Sequence, residues 1–417
     1  MKTRGILASL GVLSACLVWT TPASAVPAFA RQTNQACSSC HFQHFPALTS
    51  YGRQFKAGGY ISTGKSKEEI LTAENLSMPE DVFAALVTKL KYVKTNGTDK
   101  TEITNTGELK FPDEAAFFLG GRAGEHIGFI TEITLADPAA DDTNFTSFKV
   151  HYTDKVFGSD VSIIPFLTDA GGAPYGFELL NTGAQRFQRV AEERSAISAQ
   201  QFIGAGTGAA TGIALVASNQ NYFVNYSLWH PAFGDAAHKQ FAGYLRAAIT
   251  PTIGDWDTAV GVQVFNGTSW TVDTTTTEDS KTMPKAEFID AQAQGSVGGM
   301  PLGLYFTHGK APGTTAGGGN TPSTFNANPK DVKATSLLAE LGFMPRFSAF
   351  LGYLDGDNGA NANNTDKRTT IGLNWMIAQN SYLQLWNTKG SGSAYDTAGP
   401  RAATGKSKVG VMLFSAF

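Results

Sequence analysis

Cysteine is nearly absent from these 417 residues: there are three, at positions 16, 37 and 40. The first falls in a segment that reads as an export signal. Two then remain, too few for a disulfide framework even in an exported chain. Charge is also scarce, at 16% of residues, with a net charge of −3, which excludes a general nucleic-acid surface. Past the N-terminal segment, no apolar run approaches the roughly 20 residues that a membrane helix requires. Glycine (45 residues) and aromatic side chains (11%), by contrast, are plentiful. Low charge, abundant glycine and aromatics, and no spanning helix together point to a chain embedded in a membrane as strands.

Residues 1–25 carry the marks of a secretory signal: Lys2 and Arg4, an apolar stretch from Ile6 to Trp19, and the small-residue site Ala23-Ser24-Ala25. Leu13-Ser14-Ala15-Cys16 also resembles the cleavage site of a lipid-anchored protein. However, Leu17-Val18-Trp19 continue the apolar run past that cysteine, and an anchor is redundant on a membrane-embedded chain. A mature chain is expected from about Val26, with a small helical segment over 26–75 and a barrel over 76–417. In the small segment, Thr33 or Asn34 is placed to cap a helix running through His41 into His44. Pro46 suits the first turn of a second helix, Ala47 to Ala57, stopped by Gly58-Gly59.

From about Val82 the pattern has period two. In Tyr222 to Trp229, Tyr222, Val224, Tyr226 and Leu228 share a face opposite Asn225 and Ser227. Thr258, Val260, Val262 and Val264 oppose Ala259, Gly261 and Gln263. Ile371, Leu373, Trp375 and Ile377 oppose Gly372, Asn374 and Met376, and Phe241 to Ile249 sets Tyr244 and Arg246 opposite Leu245, Ala247 and Ile249. About sixteen such segments lie between Val82 and Phe417, with no helical stretch among them and with Ala311–Asp331 and Asp355–Lys367 as surface loops. The expected fold is all-β: a transmembrane barrel of about sixteen antiparallel strands with a small α-helical N-terminal segment as its plug. Val409, Val411, Leu413 and Phe417 share one face. A terminal aromatic after an alternating strand resembles the assembly signal of bacterial outer-membrane barrels, so the expected location is the outer membrane of a Gram-negative bacterium.

The strongest local motif is Cys37-Ser38-Ser39-Cys40-His41. Two thiols three positions apart can each form a thioether to a haem vinyl group, which brings the adjacent imidazole to the iron as its first axial ligand. A thioredoxin-type pair needs a βαβ setting, and a structural zinc site needs two further ligands; neither is visible. One covalent haem c is therefore expected on Cys37, Cys40 and His41. For the second axial position His44, Met78 and His126 are candidates, as is an open iron. A helix shared with His41 would put His44 on the wrong side of the ring, whereas His126 opens a strand and is expected to face the barrel interior. Arg31, Arg53 and Lys56 are candidate partners for haem propionates. Asp355-Gly356-Asp357-Asn358-Gly359 lacks the spacing and closing glutamate of a calcium loop, and no catalytic triad or carboxylate pair emerges.

The haem motif and its surroundings carry a resemblance. Phe29-Ala30-Arg31-Gln32-Thr33, Cys37-x-x-Cys40-His41-Phe42-Gln43, Phe45-Pro46-Ala47-Leu48 and Gly52-Arg53-x-Phe55-Lys56-x-Gly58-Gly59-Tyr60 resemble the fused cytochrome–porins of iron-oxidising bacteria. The resemblance covers about 35 residues around the motif. It implies a single-haem segment ahead of a barrel of about sixteen strands, with electrons drawn from extracellular Fe(II). A periplasmic cytochrome is the expected acceptor and outer-membrane lipid the surroundings. An electron conduit with another donor or acceptor, and a diffusion porin with a haem-bearing plug, are the alternatives.

Overall fold

In lipid, every backbone N–H and C=O must find a partner within the protein, so strands can cross only as a closed ring. The computed structural model describes residues 28–64, 70–73, 76–79, 83–98, 105–136, 145–184, 198–234, 237–272, 279–314 and 325–417; the expected signal, 1–25, lies outside them. Its architecture is a closed antiparallel barrel of sixteen long strands. The first eight are β1 (Ala84–Thr95), β2 (Glu108–Arg122), β3 (Ile127–Ala136), β4 (Phe145–Val156), β5 (Ser159–Thr168), β6 (Ala210–Ser218), β7 (Tyr222–His230) and β8 (Ala237–Ile249). There follow β9 (Trp256–Val272), β10 (Ala286–Val297), β11 (Met300–Ala311), β12 (Val332–Met344), β13 (Phe347–Asp357), β14 (Thr365–Ala378), β15 (Ser381–Ser391) and β16 (Ser407–Ala416). Each strand pairs with its sequence neighbours, and β16 closes the ring on β1 from Lys408 opposite Thr95 to Ala416 opposite Val87. Phe417 extends the seam: its N–H donates to the Leu86 carbonyl at 2.9 Å and its carbonyl accepts from Leu86 N–H at 3.1 Å.

The period-two reading holds residue by residue. On β8, Tyr244 and Arg246 are fully buried while Leu245 and Ile249 stand exposed; on β9, Gln263 is buried between outward Val260, Val262 and Val264. The same alternation turns Ile371, Leu373 and Ile377 outward on β14. So continuous an apolar exterior on a ring with no free edge is stable facing hydrocarbon.

Connections differ at the two ends. Residues 157–158, 219–221, 298–299, 345–346 and 379–380 make short turns at one end, and residues 96–107, 169–209, 312–331 and 392–406 make long connections at the other. The region from 169 to 209 is the longest. Its described residues from 169 to 184 fold inward, burying Phe177, Glu178, Leu179 and Leu180. Within it a five-residue helix, Ala199–Ile203, interrupts the expected run without helices, started by a reciprocal Ser198–Gln201 capping box.

The described residues of the N-terminal segment hold three short helices: α1 (Ala28–Thr33), α2 (Cys37–Cys40) and α3 (Ser50–Ala57). A two-stranded hairpin, Ile70–Ala73 with Leu76–Pro79, separates it from β1. The expected helix from residue 33 or 34 into His44 does not form. The Thr33 hydroxyl donates back to the Phe29 carbonyl at 2.7 Å instead of capping, and Asn34 adopts a left-handed φ of 54° that ends α1. Similarly, α3 starts at Ser50, where the Thr49 side chain accepts from Gly52 N–H, with Pro46 upstream of it. Gly58 and Gly59 end it as expected, Gly59 at a φ of 73°.

Inside the ring, Arg246 of β8 bridges two carboxylates. Its Nε donates to Glu178 at 2.9 Å and its guanidinium to Asp290 of β10 at 2.6 Å, with all three side chains fully buried. Thr182 donates to Asp290 at 2.6 Å, tying the inward-folded region to the wall. Removing the cation leaves two buried acids uncompensated. Arg246→Ala is expected to cost about 3–5 kcal/mol, read as a lower urea midpoint for unfolding in detergent.

Candidate functional site

The helix α2 is a single turn. His41 N–H donates to the Cys37 carbonyl at 2.9 Å, and His41 then leaves the helix in an extended conformation. The chain doubles back through Gln43, at a φ of 63°, so that Phe42 N–H reaches the Ala47 carbonyl at 2.8 Å and Thr49 N–H the Cys40 carbonyl at 2.9 Å. This small loop fixes the ring of His41, whose Nδ1 lies 3.3 Å from the Ala47 carbonyl. A carbonyl only accepts, so Nδ1 carries the hydrogen and Nε2 keeps its lone pair. Burial pushes the His41 pKa down to about 4, against the pull of the Ala47 and Pro46 carbonyls. The imidazole is thus neutral near pH 7 with its tautomer set, the form in which histidine binds a metal. Cys37 and Cys40 are free, half-buried thiols, and burial raises the pKa of each.

Helix α3 packs directly against this turn. A Cβ on Gly52 would stand 2.2 Å from the Cys40 carbonyl oxygen, so only glycine lets the two helices approach this closely. The Thr49 hydroxyl donates to the Ser39 carbonyl at 2.7 Å, joining the two helices from the other side.

The barrel wall holds the loop in place. Both ring nitrogens of His44 face oxygen acceptors: Nδ1 the Phe45 carbonyl at 2.6 Å and Nε2 the Glu340 carboxylate of β12 at 2.9 Å. The Asn374 amide of β14 donates to the same carboxylate at 3.0 Å. The inward-folded region adds to this: Leu48 exchanges two hydrogen bonds with the Asn181 side chain, at 2.8 and 3.1 Å. Arg53 pairs with Asp257 of β9 at 2.6 Å.

Between the segment and the wall lies a cavity of about 870 Å³, lined by Cys37, Cys40 and His41. Arg346, Gln379 and Asn380 also line it, which places it at the short-turn end. Its walls are mainly aromatic and aliphatic. Phe29 stacks on Tyr60 with centroids 4.9 Å apart, and Phe45 stacks on Phe414 of β16 at 5.0 Å; all four rings line the space. Lys56, Lys89 and Lys149 line it too. Lys89 pairs with Glu114 at 2.8 Å and Lys149 donates to the Tyr175 carbonyl at 2.8 Å, while burial lowers the Lys56 pKa to about 8.

These residues fit a covalently held haem. An aromatic-lined space of this size accommodates a flat apolar macrocycle, two reduced thiols flank it, a neutral imidazole offers its lone pair, and nearby cations can meet carboxylates. Among the described residues, no group of three or more His, Cys, Asp or Glu is arranged to hold a bare metal ion.

The other sequence candidates scatter. Lys56 lines the cavity; Arg31 and Arg53 do not. Arg31 donates to the Ala84 carbonyl at 2.7 Å, and Arg53 is committed to Asp257. His126 sits in the turn before β3, exposed and 3.6 Å from Asp154, away from the cavity lining. The side chain of Met78 lies outside the described residues. Lys89, Lys149, Arg346 and Met376 line the cavity without having been singled out by sequence. For Met376 a signal existed, since alternation already set it on the inward face with Asn374.

No family model matches the chain, and no curated protein matches it. Solved structures do. The outer-membrane channel DcaP of Acinetobacter baumannii is 12% identical over 85% of this chain and 99% of its own, at a TM-score of 0.49. OmpT of Vibrio cholerae is 12% identical over 84% of this chain and 100% of its own, at 0.44. OccK10 of Pseudomonas aeruginosa is 14% identical over 81% and 99%, at 0.44.

Two expectations follow from the geometry. Gly52→Ala forces α3 away from α2 and is expected to cost about 1–3 kcal/mol of overpacking, seen as faster proteolysis between residues 28 and 64. The second concerns pH. An unfolded histidine protonates near 6.5, whereas folded His41 resists to about 4. The unfolded state therefore takes up the proton first, and the stability from burying a neutral ring is present above pH 6.5 and lost as pH falls toward 4. In protein carrying nothing on His41, protease resistance of the segment should decline across that window, and less steeply in His41→Asn.

Proposed function

We propose that this chain is an outer-membrane electron-transfer protein that carries one haem c on Cys37, Cys40 and His41 inside a β-barrel. The observation that carries the reading is the shared cavity: both thiols and a neutral, tautomer-locked imidazole line one aromatic-walled space of about 870 Å³. When bound, the haem supplies a one-electron couple tuned by its axial ligand, burial and hydrogen bonds. The chain's own residues do the rest. The Ala47 carbonyl orients His41, Gly52 and Thr49 fix the Cys37–Cys40 turn, and the Glu340–His44 pair holds the loop against the wall. Lys56, whose pKa of about 8 leaves it largely protonated near pH 7, supplies positive charge for propionates.

Bacterial outer-membrane barrels have short periplasmic turns and longer outer loops, so the short-turn end reads as the periplasmic one. That position suits exchange with a periplasmic cytochrome. The resemblance of the haem segment names extracellular Fe(II) as donor: one electron leaves each Fe(II), giving Fe(III), and one enters the carrier. The fully buried Arg246–Glu178–Asp290 group, bridging an inward loop and two wall strands, supports electron transfer over bulk diffusion, because ions and nutrients cross only through water.

The test combines three measurements on purified protein. A pyridine spectrum of the thioether type is expected, shifting to a single-thioether form in Cys37→Ser or Cys40→Ser. Anaerobic mixing with Fe(II) should reduce the haem, and planar-bilayer conductance should be small. Colourless protein with a large, steady conductance overturns the reading in favour of a diffusion porin. A haem that Fe(II) leaves oxidised but another donor reduces overturns the choice of iron.

A further inference from the structure

We propose that Met376 is the second axial ligand of the haem iron, an assignment that rests on the haem reading above. Among the described residues, two histidines line the cavity, His41 and His44. Both ring nitrogens of His44 are turned to oxygen acceptors, at 2.6 and 2.9 Å, and the residue is 2% exposed. It therefore presents no lone pair to the cavity, and swinging it inward would break the contact that fastens the loop to Glu340. The lysines among the lining residues suit carboxylates better than iron. Among the described residues, Met376 is the one methionine that lines the space.

Three features of β14 place it there. Alternation puts Gly372, Asn374 and Met376 on the inner face, while Ile371, Leu373 and Ile377 meet lipid. The backbone is fixed on both sides: Met376 pairs with Tyr382 of β15, and its N–H donates to the Arg346 carbonyl at 2.7 Å. The ladder then slips, with a register shift between Met376 and Ala378. A bulge of this kind redirects side chains and is common beside functional sites. Met376 also continues an inward row across the seam, through Tyr382, Phe414, Lys89 and Glu114. The last three line the cavity, so the thioether stands at the end of a row that already borders it.

The chemistry is consistent. A thioether is uncharged and polarisable, needs no hydrogen bond when buried, and with histidine opposite raises the potential of a c-type haem. His41 comes from the N-terminal segment and Met376 from the wall, so ligation would tie the two bodies through the iron.

The experiment uses the full-length protein purified in detergent. The oxidised wild type is expected to show the far-red sulfur-to-iron charge-transfer band and a low-spin ferric signal. Met376→Leu, which keeps volume and apolar character, should lose the band, become high-spin and fall in potential. Met376→His should regain the low-spin signal without the band, at a potential below the wild type's. Met412→Leu, which changes a buried thioether outside the cavity, and Met78→Leu should keep the band. A wild type lacking the band, a band that survives Met376→Leu, or one lost in Met78→Leu overturns the assignment while leaving the haem reading intact. Protein with no covalent haem overturns both.

Discussion

Ring closure is the constraint from which everything else follows. A strand in hydrocarbon cannot leave one edge unpaired, so β16 must find β1, and the pairing extends to the terminal residue through Phe417 and Leu86. Closure creates an interior, and the chain fills it from two sources: the N-terminal segment at one end and the region after β5 from the other. The wall is polar on its inner face because it must bond to both. Glu340 holds the N-terminal loop through His44, and Arg246 and Asp290 hold the inward region through Glu178 and Thr182.

The cavity is a by-product of that filling. The segment does not pack flush against the wall, and the space between them falls beside Cys37, Cys40 and His41. Its lining divides by origin. The thiols and His41 come from a loop held by local hydrogen bonds, so their mutual geometry survives small motions of the barrel. Lys89, Lys149 and Met376 come from the wall, so their distance from the loop depends on the docking contacts of His44, Leu48 and Arg53.

Much of the fold was legible because period two is a local property. Each outward apolar residue follows from its neighbours' spacing alone, and Tyr244, Arg246 and Gln263 appeared on the inner face from sequence. The Cys37–His41 motif stood out for the same reason: five contiguous residues carry its chemistry. The N-terminal helices were less so. The sequence offers Thr33 and Asn34 as caps, but Thr33 bonds to its own helix and Asn34 turns left-handed, an outcome decided by where the loop must dock. The partners were not legible at all. Arg53 and Lys56 look alike beside the motif, yet Arg53 meets Asp257, 204 positions away, while Lys56 borders the cavity. Spacing along a strand tells which face a side chain takes and says nothing of what stands opposite across a lumen.

Access to Cys37 and Cys40 changes when the ring closes. They precede β1, whose far edge pairs with β16. In the finished barrel both thiols are half-buried between the segment and the wall. A group bulkier than the gap between segment and wall reaches them only before the two dock. A group joined to both sulfurs would therefore have to be in place before the barrel closes around the segment.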